Sequence, residues 1–300
     1  MLDWKSYASC SSVNPVPNRS PHWWQWPTII SLDAPLIAVL WQWLFARTVN
    51  TEWRADHAFI LGASVWLAYA ADRWFEGWRL APDQMRTQRH RFYQRHRWQV
   101  AVVWAAVLIA DVGVAVRRLH HLEFIAGLLL LAPVLAYLLS HQLIHRTRRW
   151  RPPKEVCVAG LLAGGVALFP AVQPAASVRF LAAPLGLFAM LCFANCALIS
   201  VWEKEIDATH RQTSLAHQFA RGAALSQTLP WMLTLIAVLA ALVEVGPARI
   251  AALCALVSSV ALGIVDRLEP RLGWQLSRVL ADAALMTPLF PLLAIASSRS

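Results

Sequence analysis

The chain has 300 residues, 58% of them hydrophobic and 15% charged, with a mean hydropathy of +0.46. That is too apolar for a soluble globular domain and points to an all-α, polytopic membrane protein. The formal charge of +10 comes largely from arginines between apolar stretches, so it reports membrane orientation and implies no nucleic-acid partner.

Residues 1–27 contain no continuous apolar stretch. Trp4, Trp23, Trp24 and Trp26 read as interfacial anchors of an N-terminal cytoplasmic or interfacial segment, not as a removable signal peptide. Apolar spans follow at 28–47, 57–77, 97–116, 122–140, 155–173, 178–203, 224–245, 248–266 and 274–297, each near the length that crosses a bilayer. They predict one transmembrane domain over 28–298 with about nine helices, and an odd count puts the termini on opposite sides. The hydrophilic loops are too short to be domains.

Arg79, Arg86, Arg89, Arg91, Arg95 and Arg97 lie between the second and third spans, and Arg146, Arg148, Arg149, Arg151 and Lys154 between the fourth and fifth. The loops of the other face carry fewer, with Arg47, Arg54, Arg117, Arg118, Arg179 and Arg249. Positive charge stays inside. The N-terminus is therefore expected in the cytoplasm and the C-terminus outside, in a bacterial inner membrane.

Two acidic pairs, Asp72 with Glu76 and Glu203 with Asp207, each end an apolar stretch and each are followed by basic residues. Carboxylates four residues apart share one helix face. At a helix C-terminus they meet the negative pole of the dipole, so a compensating cation is called for, which is the logic of a metal and diphosphate site. Ordinary water-facing helix ends would look the same for either pair alone; two pairs in corresponding positions, both facing the cytoplasm, favour the site. Glu205 lies off the proposed face.

These residues resemble the UbiA family of intramembrane aromatic prenyltransferases, in which nine helices surround a lipid-accessible cavity capped by two aspartate-rich motifs. Ala68, Tyr69, Asp72 and Glu76 fall on the first motif, Asn-Asp-x-x-Asp-x-x-x-Asp, and Glu203 and Asp207 on the second, Asp-x-x-x-Asp. Arg211, Thr213 and Ser214 are similar to the tail after the second motif, Asp33 and Pro35 to the Asp-x-Pro start of the first helix, and 86–91 to the arginine-rich segment after the first motif. The chain departs from the pattern at Ala68 and Tyr69, and Glu stands for Asp at 76 and 203.

The resemblance implies a magnesium-dependent transferase. Asp72, Glu76, Glu203 and Asp207 would be the metal ligands and catalytic residues, while Tyr69, Arg86, Arg89, His90, Lys154 and Arg211 would contact substrate. An isoprenoid diphosphate donor would lose its diphosphate, and a hydrophobic acceptor would capture the carbocation in a water-excluding cavity within membrane lipid. The acceptor is aromatic or another lipid-soluble molecule. A different class of protein also fits: a non-catalytic carrier or assembly protein that kept the UbiA-like fold, distinguished by indifference to magnesium.

Asp33, Asp111 and Asp282 lie in or near apolar segments, where ionisable groups are costly. Asp33 reads as an N-cap before Pro35, Asp111 as facing the opposite aqueous surface with Arg117, and Asp282 as a partner of Arg278. Cys10, Cys157, Cys192, Cys196 and Cys254 show no metal-site spacing and read as small buried hydrophobes. Trp66, Tyr69, Trp74, Phe193 and Trp202 either shelter a cation or serve packing and interfacial anchoring.

Overall fold

The computed structural model describes residues 21–79, 87–143, 153–174, 176–204 and 222–298, all helical or connecting, with no strand among them. The helices are α1 (Trp26–Ile29), α2 (Asp33–Thr48), α3 (Ala55–Arg79), α4 (Gln88–Arg95), α5 (Arg97–Arg118), α6 (His121–Leu143), α7 (Lys154–Val172), α8 (Ala182–Trp202), α9 (Gly222–Val243), α10 (Gly246–Leu272), α11 (Trp274–Ala284) and α12 (Leu289–Ser297). Each expected span falls on a helix or a bent pair. Six helices, α5 to α10, are long and apolar enough to cross a membrane, and counting the bent pairs α1 with α2 and α11 with α12 as one span each brings the number to eight. The remaining expected span lies on α3, 25 residues long, whose charged ends make it less apolar. The protein is an integral membrane protein.

Two connections turn at single residues with positive φ. Between α1 and α2 the chain turns by 76° through Ser31 in the left-handed region, φ 62°, a conformation costly for a residue with a Cβ. Arg73 of α3 holds this turn, donating to the Thr28 carbonyl at 2.7 Å and to Ser31 Oγ at 2.8 Å. Ser31 Oγ also shares a hydrogen bond with Tyr93 Oη of α4 at 2.9 Å. The turn places Leu32 as the N-cap of α2, which corrects the expectation for Asp33. Asp33 is the first helical residue, and its Oδ1 accepts from the amide of Ala34. Between α10 and α11 Gly273 adopts φ 79°, which its missing Cβ permits.

The core centres on α2. Trp41, Phe45 and Phe188 of α8 are fully buried and meet as an aromatic cluster, with ring centroids 4.7 to 5.9 Å apart. The Trp41 indole N–H donates to the Leu285 carbonyl at 2.8 Å, so this large side chain leaves no donor unsatisfied. Ala159, Ala163, Ala194, Ala251 and Ala255 are buried, and such small residues let membrane helices approach closely. In contrast α5 and α6 bury only 6% of their apolar windows. Val102, Ile109 and Leu129 point outward, as lipid-facing side chains do.

Candidate functional site

The α4 helix links the α1–α2 turn, which Arg73 of α3 and Tyr93 of α4 both meet, to Glu203 at the C-terminal end of α8 through Arg89. Thr87 caps α4, its hydroxyl oxygen accepting from the His90 amide and lying 2.7 Å from His90 Nδ1. His90 is buried and thus part of the cap. The cap lays α4 across this end of the bundle and directs Arg89 at Glu203 of the α8 terminus.

Glu203 is the best-defined charged group there. Its Oε2 accepts from Arg89 Nη2 at 3.1 Å and its Oε1 from Arg278 Nη1 of α11 at 2.5 Å. Burial alone would push this carboxyl up. The charges of Arg278 and Arg89, the hydrogen bond from Arg278 and the charge of Lys154 overcome that and hold it at about 2, below its ordinary 4.5. Arg278 Nε is buried and has no hydrogen-bond partner among the described residues, a donor left for a further oxygen acceptor. A cavity of about 50 Å³ adjoins the three charges, walled also by Gln25, Thr28 and Gln275. It has room for a few waters, so a larger anion entering here must displace the Glu203 side chain from its arginines.

A second polar layer lies deeper. Asn195 of α8 precedes Glu203 by eight residues, about 12 Å along a helix. Its Nδ2 donates to Asp282 Oδ1 at 2.9 Å. Tyr69 lies within electrostatic reach of Cys196, Asp33, Cys192 and Asp282, and Tyr137 of Asp72, Cys196, Cys157 and Glu155. Tyr69, Asp282 and Cys196 are half-buried.

Two expected placements are corrected here. Arg278 pairs with Glu203, and Asp282 accepts instead from Asn195. Asp111 is buried in α5 with its Oδ2 accepting from Ser64 Oγ at 2.9 Å, and so does not face water beside Arg117. The aromatics act chiefly as anchors: Trp66 donates to the Ile30 carbonyl, Trp74 to that of Arg97, and Trp202 to Asp266.

Of the expected site residues, Arg89 and Glu203 meet in one cluster, and the charge of Lys154 acts on Glu203. Asp72 and Tyr69 line the α3 side, and His90 serves the cap. Arg86, Asp207 and Arg211, and the side chain of Glu76, lie outside the described residues. Arg278, Arg73 and Asn195 are additions. The signal for Arg278 and Asn195 was a polar group inside an apolar segment, which is expensive without a partner.

A divalent cation fits this arrangement poorly at Glu203. Both carboxylate oxygens are already committed to guanidinium groups, and two fixed positive charges repel a metal ion at the same oxygens. Among the described residues no three His, Cys, Asp or Glu side chains converge as a metal site.

No family model matches the sequence, and no curated protein matches it. The apo structure of a UbiA homolog from Aeropyrum pernix K1 superposes with a TM-score of 0.54 over 88% of this chain and 98% of that one, at 14% sequence identity. At that identity the likeness concerns the fold, and the chain has a UbiA-like fold.

Proposed function

We propose that this chain, with its UbiA-like fold, transfers an isoprenoid group from its diphosphate to a lipid-soluble acceptor inside the membrane. The observation that carries the reading is the Arg89, Glu203 and Arg278 cluster at the mouth of a polar interior. Guanidinium groups match phosphate oxygens in geometry and charge. Glu203 holds both arginines in place without substrate, and an incoming diphosphate exchanges with it as their anion. As the allylic C–O bond breaks, negative charge grows on the diphosphate, where Arg89, Arg278 and Lys154 stabilise it. Tyr69 carries the Arg73 guanidinium over its ring, 5.8 Å from the centroid, and its phenol can hydrogen-bond substrate. The acceptor's nucleophilic carbon then forms the new C–C bond and gives up a proton to the departing diphosphate, with water kept out by the surrounding apolar helices.

Glu203, committed to its two arginines, does not suit magnesium as a ligand. Asp72, Glu76 and Asp207 are the carboxylates that remain for such an ion, whose chemistry would be charge neutralisation of the diphosphate. The test is binding of a non-hydrolysable isoprenoid thiolodiphosphate to purified protein in nanodiscs, with and without chelator. Binding is expected to weaken on chelation, as Asp72, Glu76 and Asp207 lose their ion, and to weaken at least about tenfold in Arg89→Gln or Arg278→Gln, the loss of one charge-assisted contact. Binding indifferent to both substitutions would overturn the reading and favour a carrier that merely shares the fold.

A further inference from the structure

Three helices are tied together by one buried chain of hydrogen bonds. Arg73 of α3, 6% exposed, donates from Nη1 to the Thr28 carbonyl at 2.7 Å and to Ser31 Oγ at 2.8 Å. Ser31 is fully buried, and its Oγ is joined at 2.9 Å to Oη of Tyr93, itself 2% exposed. Both ends of this chain reach the wall of the cavity beside Glu203. Thr28 belongs to that wall directly. Tyr93 reaches it through Arg89, another wall residue, which stands four positions earlier in α4 and so on the same helix face.

The α4 helix has eight residues, and a helix so short has little stability by itself. Its position is set by what it touches. Two contacts tie it to the α1–α2 region: the Tyr93 hydroxyl on Ser31, and the Phe92 ring edge-on to Trp26 with centroids 6.0 Å apart. The ring contact tolerates some sliding, whereas a hydrogen bond weakens steeply with distance and angle. The Tyr93 hydroxyl is therefore the contact that fixes α4 in register with α1 and α3.

We infer that Tyr93 is a positioning residue: through Ser31 and Arg73 it fixes where Arg89 stands across Glu203 from Arg278, and with it the affinity for the isoprenoid diphosphate. A guanidinium held in place before its anion arrives loses less freedom on binding. Tyr93 is buried and acts through Arg89. The link to diphosphate affinity rests on the transfer proposed above; the placement of Arg89 on Glu203 does not.

The experiment is a double-mutant cycle in nanodiscs with magnesium present. Tyr93→Phe keeps the ring and removes only the hydroxyl, and Ser31 Oγ retains its bond from Arg73. Binding of a non-hydrolysable isoprenoid thiolodiphosphate is measured with and without this substitution in wild type, in Arg89→Gln and in Arg278→Gln. Tyr93→Phe is expected to weaken wild-type binding about fivefold, the worth of one hydrogen bond. The same change should weaken binding by less than about twofold in Arg89→Gln, but by the full factor in Arg278→Gln. Melting curves without ligand form the second arm: the drop in melting temperature caused by Arg89→Gln should be about halved or smaller in Tyr93→Phe, where the pair with Glu203 is already loosened. No weakening by Tyr93→Phe, equal weakening with and without Arg89, or an equal melting loss from Arg89→Gln in both backgrounds overturns the inference and leaves Tyr93 a packing role alone. Failure of the transfer reading looks different: wild type then binds no thiolodiphosphate, and the melting arm still decides the placement of Arg89.

Discussion

Replacing Glu203 by glutamine tests the outer cluster as an energetic unit. Glutamine keeps the side-chain shape but removes the charge between Arg89 and Arg278, leaving two nearly buried guanidinium groups without their anion. Lowering the carboxyl from 4.5 to about 2 corresponds to about 3 kcal/mol of preference for the ionised form in the folded state. That agrees with the 3–5 kcal/mol typical of removing one partner from a buried pair. The sign follows from the direction of the shift: with the folded-state value depressed, the contribution is complete above about pH 4.5 and is lost as pH falls towards 2. Unfolding by SDS in mixed micelles from pH 8 to pH 3 should therefore show wild type about 3 kcal/mol more stable than Glu203→Gln near neutrality. The gap should hold steady to about pH 5 and shrink below it. A gap under about 1 kcal/mol at neutral pH, the worth of a solvent-exposed pair, or one that widens on acidification, would refute the assignment of Glu203 as the buried centre of the cluster.

A cytoplasm-only reporter inserted within residues 77–96 or 207–221 is expected to be active, and one at the C-terminus silent; opposite signals from the two insertions would separate the acidic regions across the membrane. Asp72→Asn and Asp207→Asn should each lower turnover at least about a hundredfold, with Glu205→Gln close to wild type; equal loss at Glu205 would mean that the catalytic face is misassigned. Gly263→Ala should lower the melting temperature, because a Cβ there would lie 2.6 Å from the Trp231 ring, which Arg267 also covers at 4.4 Å; overpacking of this kind costs about 1–3 kcal/mol, and an unchanged melting temperature would contradict the α9 and α10 packing. Ser64→Ala should destabilise by about 1–3 kcal/mol by orphaning Asp111, and Asp111→Asn, which can still accept from Ser64, should cost much less, both read from the same unfolding curves.

The span positions were legible because a bilayer sets helix length, and runs such as 97–116 and 178–203 carry that length in their composition alone. The cap at Thr87 and the turn at Gly273 are local chemistry that a reading of the spans passes over. Ser31 gave no such warning, since its left-handed turn is held by Arg73 and Tyr93, residues distant in sequence. Arg89 was recognisable as a basic group near the first acidic pair, but its partner Glu203 lies 114 positions away, and nothing local chooses between that partner and a phosphate. Arg278 and Asp282 sit one helical turn apart and so read as a pair; tertiary packing gave each a better partner from α8. Asn195 lacks charge and was overlooked, although an amide in so apolar a helix needs a partner as surely as a carboxylate does.

The reaction itself is the most direct measurement: release of diphosphate from labelled isoprenoid diphosphates of several chain lengths by purified protein in nanodiscs, supplied with a lipid extract as acceptor source. Protein-dependent release coupled to a labelled lipid product is expected, reduced at least about a hundredfold in Arg89→Gln combined with Arg278→Gln, provided the variant melts as a folded protein. Release no greater than from empty nanodiscs at every chain length, or release that ignores the loss of both arginines, would contradict prenyl transfer at this site.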